Sequence, residues 1–414
     1  MEGIYNVLTS ISGSVIKVAG NFSPKLKDFS RGRKDLFSRL ENAVEPGLKY
    51  FWVHAASLGE FEMAVPILEL LKKKYPDHKI VVSFFSPSGF NNKKQHPLVD
   101  LFTYLPLDTK KNASRFIKII NPEMVFFIKY DFWPNYLHQL KNRKIRTFLI
   151  SGIFREDQAF FKFYGNWMRK SLKAFEHFFV QDKKSLELLK SIGLKNSTLA
   201  GDTRFDRVAS QIASDNKLEF LERFKDGQIL TVFGSTWPDD EKLILDFING
   251  SSSVKFVIAP HEIKPEKIKH LEKSINIPVT RYSEMGDQDL SQYRVLIMDT
   301  IGLLGRAYSY ANIAYVGGAA GTTGLHNILE PATFGIPIVI GENFSKFPEA
   351  EKLQKLAGLF SVKNSTEFSA IMTKLHTNKA FREKAGMVAG HFINSNTGTT
   401  EILETYLDSH PLKF

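Results

Sequence analysis

The sequence predicts an α/β protein made of two doubly wound, Rossmann-like domains facing a cleft. Three observations carry this. From Tyr50 onward, short apolar runs alternate with helical patterns. The runs are nearly continuous rather than alternating, which marks strands buried on both faces of a parallel sheet. The alternation also pauses over a polar stretch at 206–226 and then restarts, and 414 residues suffice for two or three domains at roughly 100–200 residues each.

In order along the chain, Tyr50–Val53 reads as the first strand and Phe61–Lys74 as a helix with Ala64, Ile67, Leu68 and Leu71 inward. Strands follow at Ile80–Phe85, Val125–Ile128, Thr147–Ile150 and Phe178–Val180, rich in the β-branched and aromatic residues that suit a sheet. After the break, strands are expected at Ile229–Phe233, Val254–Ile258, Arg294–Met298, Ile313–Val316 and Ile336–Ile340. Helices are expected at Leu243–Asn249, Leu303–Tyr310 and Ile328–Phe334, and two or three more over Ser365–Leu407. The division this implies is an N-terminal segment 1–40, a first α/β domain 41–205, a linker 206–225, a second α/β domain 226–385 and C-terminal helices 386–414.

Composition narrows the function. There is no cysteine, which excludes disulfides, thiolate catalysis and Cys-ligated metal sites. No run of 18 or more apolar residues occurs, so a conventional membrane-spanning helix is not expected. The net charge is 55 − 44 = +11, and residues 110–207 alone carry 20 Lys/Arg against 9 Asp/Glu. A basic lobe suits an anionic partner or a solvated surface. Ile4, Leu8, Ile11, Val15 and Val18 share one helix face, and Lys25, Lys27, Arg31, Arg33, Lys34 and Arg39 follow. Basic charge after the apolar stretch is the reverse of a signal peptide. It is the pattern of a peripheral membrane helix, or of a helix packed on its own domain.

Doubly wound domains bind ligands beyond the carboxyl ends of their strands, so the residues just after each strand are the candidates. His54-Ala-Ala-Ser57-Leu-Gly59-Glu60 follows the first strand. The small residues allow close approach of a ligand, and Glu60 falls at a helix start, where the dipole favours a carboxylate. It is either a general base or a helix cap. Lys129-Tyr130-Asp131 precedes Trp133-Pro134-Asn135; its two charges either pair with each other or face a ligand. Arg204, in Gly201–Asp206, stands at the domain junction, suited to an anion. In the second domain the candidates are Ser235 and Thr236, Pro260 and His261, and Ile301, Gly302 and Leu303. Gly317, Gly318 and Gly324 lead into His326-Asn327-Ile328-Leu329-Glu330. A glycine loop running into a helix is an anion cradle, with Glu330 one turn inside for ribose hydroxyls. It is neither a P-loop nor a GxGxxG fingerprint.

Taken together, HAASLGE, Tyr104–Asp108, Trp133–Asn135, Gly201–Asp206, Asp299–Gly302 and Gly324–Ala332 occur in the order found in the Kdo (3-deoxy-D-manno-octulosonate) transferases of lipid A assembly, and the chain resembles that family over nearly its whole length. The resemblance implies a GT-B glycosyltransferase fold and inverting transfer of Kdo from CMP-Kdo to a lipid A precursor (lipid IVA) at the cytoplasmic face of the bacterial inner membrane. It implies Glu60 as general base, with Ser57 and Gly59 beside the acceptor. It places Arg204 near the transferring group, with an acidic function at Asp131 or its neighbour Lys129. It puts CMP on Pro260-His261, Ile301–Leu303 and Asn327–Glu330. The sequence departs from the family pattern at Lys129 and Asp131, where two glutamates are usual, at Pro260 for arginine, at Leu303 for an acid and at Ile328 for proline.

The chemistry is consistent with these roles. CMP leaves readily, so the site needs donors for the departing phosphate, for which the glycine loop, Ser235, Thr236 and Arg204 are candidates, and a base on the acceptor's face. No Asp-x-Asp pair suited to a nucleotide-bound metal stands out, so neither metal nor other cofactor is expected. The alternatives are another GT-B activity, a UDP-sugar transferase or epimerase, and a non-catalytic nucleotide or nucleic-acid binder. HAASLGE and WPN weigh against the first. The absence of an RNP-like motif weighs against nucleic acid.

Overall fold

The structure is a computed structural model that describes residues 2–19, 22–92 and 95–412. The side chains of Lys17, Val18 and Lys25 lie outside the described residues. The chain forms two compact units, Met1–Arg207 with Thr397–Phe414, and Val208–Asn396.

The first unit holds a seven-stranded parallel sheet of β1 (Tyr50–His54), β2 (Lys79–Phe84), β3 (Leu101–Tyr104), β4 (Pro122–Ile128), β5 (Arg146–Gly152), β6 (His177–Val180) and β7 (Ser197–Leu199), in the order β3-β2-β1-β4-β5-β6-β7. The second holds β8 (Leu230–Thr236), β9 (Lys255–Pro260), β10 (Val279–Arg281), β11 (Val295–Ile297), β12 (Ile313–Val316), β13 (Ile338–Gly341) and β14 (Leu359–Val362), in the order β10-β11-β9-β8-β12-β13-β14. The ten strands expected from apolar runs are all present. The four not expected, β3, β7, β10 and β14, are the four sheet edges. The first sheet reverses its winding between β1 and β4 and the second between β8 and β12, the second also turning back once at its edge, where β11 lies between β9 and β10. Those two crevices are where a ligand of a doubly wound sheet belongs.

Apolar side chains cover both faces of each sheet, as continuous runs require. In the first unit Trp52, Phe116, Phe127 and Tyr136 lie on one face and Phe61, Leu68, Phe126 and Phe148 on the other. The segment 206–225 is no mere linker. Its helix Glu219–Lys225 buries Phe220, Leu221 and Phe224 in the core of the second unit. Nor do residues 386–414 form one tail. Position 386 lies inside the helix Lys379–Asn394 of the second unit, whereas the helix Thr399–Ser409 packs Leu403 and Leu407 against the first.

Candidate functional site

In the first unit the switch point gathers the ends of β1 and β4. Ser57 precedes the helix Leu58–Lys74 as its cap residue, and its hydroxyl donates to Glu60 and accepts no N–H of the first turn. Glu60 is half-buried, and Gly59 is exposed, with only Ser57 Oγ, at 3.8 Å, in ordinary contact with where a Cβ would stand. Lys129, just after β4, is in the left-handed region, at φ 71°, a conformation that non-glycine residues keep mainly where the surroundings impose it.

Asp131 takes its partner from β1 rather than from Lys129. Its Oδ2 lies 2.9 Å from Nε2 of His54. His54 is fully buried, with Nδ1 2.8 Å from Ser83 Oγ, which also accepts the Trp52 indole N–H at 2.7 Å. Trp133 Nε1 stands 3.1 Å from the same Nε2 and closes the cluster. The Lys129 ammonium instead lies over the Tyr130 ring, 5.0 Å from its centroid.

Each polar residue of Gly201–Asp206 has a separate task. Asp202, nearly buried, accepts from the Arg204 backbone N–H at 2.9 Å and from Nε at 2.8 Å, which fixes the direction of a guanidinium that is about a third exposed (36%). Thr203 N–H donates to Ser151 Oγ at 3.0 Å. Asp206 accepts from the backbone N–H groups of Gly398 and Thr400, at 2.6 and 2.8 Å, and so anchors the returning C-terminal helix.

In the second unit the organising residue is one that local sequence gave no reason to select. Asp240, fully buried in the first turn of the helix Pro238–Gly250, receives hydrogen bonds on both oxygens. Oδ1 accepts from Tyr315 OH (2.7 Å) and Ala320 N–H (3.3 Å); Oδ2 accepts from Trp237 N–H (2.9 Å) and Gly318 N–H (2.8 Å). Two of the N–H groups expected to form an anion cradle are thereby occupied. The N–H of Gly318 is taken by a protein carboxylate, and that of Gly317 donates to Gly234 O at 2.9 Å. The glycines serve close packing instead. A Cβ on Gly317 would strike Ser235 O, and one on Gly318, at φ 96°, would strike Gly324 O; Gly324 itself sits at φ 98°.

Other expected contacts are redirected. Thr236 is buried, and its hydroxyl donates to Glu241 at 3.4 Å. Ser235 sits at φ 54° where β8 slips register against β9. Ile328 and Leu329 turn their side chains into the core, and Leu329 N–H is held by Asn327 Oδ1 at 3.0 Å, so neither side chain meets a ligand.

What remains is a polar and aromatic surface. Trp237 stacks on His261, with centroids 4.4 Å apart, and donates its indole N–H to His326 Nε2 at 3.0 Å. His261 and His326 are 4.5 Å apart. Burial, and then the neighbouring His261, push the His326 pKa below the usual histidine value. Asn327 Nδ2 donates to Glu330 Oε1 at 3.1 Å. Gly302 has φ 94°, between a fully projecting Ile301 (88% exposed) and Leu303. Pro260 closes β9 and lines a cavity of about 320 Å³ with Trp237, Glu241 and His270. Sequence reading gave no role to Asp240, Asp202 or His54; His54, inside HAASLGE, and Asp202, inside Gly201–Asp206, lay in motifs already singled out, whereas Asp240 carried no local signal.

The first helix, Glu2–Ala19, docks on the first unit through polar contacts. Tyr5 OH donates to Asp108 at 2.6 Å, Asn135 Nδ2 donates to Asn6 at 2.9 Å, and Glu2 pairs with Lys110 at 3.0 Å. Asp108 also accepts the Asn135 and Tyr136 N–H groups at 3.1 Å. The YLPLD and WPN motifs thus form the seat of this helix. Its opposite face leaves Ile4, Val7, Leu8, Ile11 and Val15 between 53% and 63% exposed. Arg33 is not available to lipid. Its guanidinium donates to Phe85 O (2.7 Å) and Leu105 O (3.0 Å) over the Phe29 ring, and burial lowers its pKa to about 10. No helix among the described residues is long and apolar enough to cross a membrane.

Residues 30–207 match the family model described as 3-deoxy-D-manno-octulosonic-acid transferase (kdotransferase). The chain is 27% identical to the 3-deoxy-D-manno-octulosonic acid transferase of Rickettsia felis over 86% of this chain and 77% of that one. It is 28% identical to the Aquifex aeolicus enzyme of the same name, over 83% of this chain and 91% of that one. Among solved structures, a UDP-GlcNAc 2-epimerase from Neisseria meningitidis bound to UDP-GlcNAc superposes with a TM-score of 0.59 over 87% of this chain and 100% of that one; at 14% identity this speaks for the fold alone. Over residues 30–207, and at 27–28% identity across both sheets, this chain is similar to the 3-deoxy-D-manno-octulosonic-acid transferases; it is a glycosyltransferase with a GT-B fold.

Proposed function

We propose that this protein transfers Kdo from CMP-Kdo to the lipid A precursor lipid IVA in lipopolysaccharide biosynthesis, in one inverting displacement. The observation that carries the reading is the carboxylate of Glu60, held by Ser57 at the switch point of a sheet that matches the Kdo transferase family. Glu60 removes the acceptor hydroxyl's proton while Ser57 and Gly59 flank the acceptor. Arg204, oriented by Asp202, meets the negative charge of the donor. Asp131, oriented by His54, takes the acidic role at the end of β4, and Lys129 adds a cation there. CMP lies on the second unit against Pro260, His261, Gly302, Asn327 and Glu330. Offering CMP-Kdo and a panel of UDP-sugars with a tetraacylated lipid A precursor, with products read by mass, tests the reading; turnover of UDP-sugars but not CMP-Kdo overturns it.

Two expected results follow from the same reading. Glu330→Ala removes a charge-assisted hydrogen bond to the ribose and releases Asn327. Calorimetry is expected to show CMP binding weakened by about 1.5–3 kcal/mol; unchanged affinity would move the nucleotide elsewhere.

At the membrane, the exposed face of Glu2–Ala19 enters the headgroup boundary while exposed Lys27, Arg31, Lys34 and Arg39 meet lipid phosphates. This attaches the protein peripherally to the cytoplasmic face of the inner membrane. Binding to anionic vesicles is expected to weaken in high salt, where the Debye length falls to about 3 Å at 1 M. It should largely disappear in Ile4→Ser/Leu8→Ser/Ile11→Ser. That variant is preferable to deleting residues 1–40, since Leu36 and Leu40 belong to the core. Vesicle binding by the triple variant equal to that of the parent chain would place the contact elsewhere.

A further inference from the structure

The first helix touches the rest of its unit partly through Tyr5, whose ring lies 5.1 Å from that of Trp167. Trp167 belongs to the helix Asn166–Leu172, and immediately before that helix the chain makes a tight turn, Lys162-Phe163-Tyr164-Gly165. The composition of this turn is unusual. Central turn positions favour Gly, Pro, Asn, Asp or Ser, which adapt to the backbone and to water. Here they are two aromatic residues, with Phe163 94% exposed and Tyr164 48% exposed.

The turn is also stiff. Gly165 N–H donates to Lys162 O at 3.0 Å, Arg169 Nη2 donates to the same oxygen at 3.1 Å, and Lys162 N–H donates to Ala159 O at 3.2 Å. A Cβ on Gly165 would collide with Ala159 O, so only glycine fits the base of the turn. At the tip the Phe163 and Tyr164 rings meet edge to face, 5.2 Å apart at 85°. An aromatic pair held out from a braced turn is prepared for contact before any partner arrives, so little ordering cost falls on binding.

Charge and shape select the partner. Residues 162–173 contain four basic residues, Lys162, Arg169, Lys170 and Lys173, and no acidic one. Arg169 braces the turn, while Lys170 and Lys173 are exposed. The tip is convex and only two side chains wide. A stable protein interface buries roughly 800 Å² per partner, far more than this tip offers, whereas a bilayer surface accepts a small convex wedge. Aromatic rings prefer the headgroup level, and basic residues beside them meet anionic lipid.

We propose that the Lys162–Gly165 turn is a second membrane contact, which inserts Phe163 and Tyr164 into the headgroup region of an anionic bilayer alongside the apolar face of the first helix. The proposal rests on the membrane attachment put forward above. Two separated contacts do what one helix cannot: they fix the tilt of the first unit relative to the bilayer.

Because the chain lacks cysteine, single thiols give clean reporters in the full-length protein. Phe163→Cys, Ile11→Cys and Leu356→Cys, each labelled with an environment-sensitive fluorophore, are mixed with phosphatidylcholine/phosphatidylglycerol vesicles, with and without nitroxide-labelled acyl chains. Labels at 163 and 11 are expected to brighten and to be quenched by the nitroxide, while 356, on the second unit, stays unchanged. Phe163→Ser/Tyr164→Ser is expected to lower vesicle partitioning on the order of tenfold with unchanged melting. A response at 11 without one at 163 overturns the proposal and leaves the membrane reading intact. Silence at both positions removes both. A response at 163 only when lipid A precursor is present makes the turn an acceptor contact and overturns the bilayer assignment.

Discussion

Glu60→Gln is expected to abolish Kdo transfer while leaving the fold and CMP affinity as they are. The substitution keeps the size and shape of the side chain and removes its capacity to take a proton. Loss of a general base costs typically about 10²–10⁴ in rate. The Ser57 hydroxyl that donates to Glu60 can still donate to the amide oxygen, so the first turn of Leu58–Lys74 should survive. CMP binding is assigned to groups of the second unit and should match the parent chain by calorimetry. Ser57→Ala is the companion. It leaves the base in place but loosens its aim, so its loss in kcat should be much smaller than that of Glu60→Gln. Near-normal turnover in a folded Glu60→Gln protein would remove Glu60 from the mechanism, and the cluster of Asp131 and His54 at the end of β4 would become the next place to look.

The boundary between what the sequence revealed and what it did not follows the range of the interactions. The ten central strands were legible because burial on both faces makes each a continuous apolar run. The edges were not. Ser197-Thr198-Leu199 and Val279-Thr280-Arg281 are short and carry polar residues because one side of each strand has no neighbour. Site residues that follow a strand were legible for the same local reason, since a glycine or small-residue turn leading into a helix is visible within a few positions. Their partners were not visible. His54 and Asp131 are 77 residues apart, Asp240 and Gly318 are 78, and Asp206 and Gly398 are 192. No period or spacing links such pairs; only the topology brings them together. Arg33 shows the converse error. It sits in a basic run that reads as a lipid-facing surface, yet it is turned inward, where two carbonyl oxygens and the Phe29 ring receive it. The tight turn at Phe163 carries a local oddity, aromatic residues where turns want polar ones, but its exposure is a property of the fold.

The largest stability effect is expected at Asp240, which has no proposed chemical role. Four donors converge on its two oxygens: Tyr315 OH, Ala320 N–H, Trp237 N–H and Gly318 N–H. In Asp240→Ala these donors lose their acceptor in a place with no exposure. Each buried donor left unsatisfied costs about 1–3 kcal/mol. Partial relaxation and water entry offset some of this, and the loss should resemble the roughly 3–5 kcal/mol seen when one partner of a buried charged group is removed. At about 2–4 °C per kcal/mol for a domain of 150–250 residues, the transition of the second unit should fall by roughly 6–20 °C in scanning calorimetry. Asp240→Asn should do nearly as badly, because its amide nitrogen would face donors on whichever side it points. Tyr315→Phe removes a single donor and leaves the carboxylate its three N–H partners, so it should cost only about 0.5–1.5 kcal/mol. The ranking is the test. If Asp240→Ala melts within a few degrees of the parent chain, the carboxylate does not hold the loop. If it melts early while Tyr315→Phe does not, one buried aspartate, reached from 78 residues away, sets the path of the glycine segment, and CMP affinity should fall with it because Asn327 and Glu330 are carried at the end of that path.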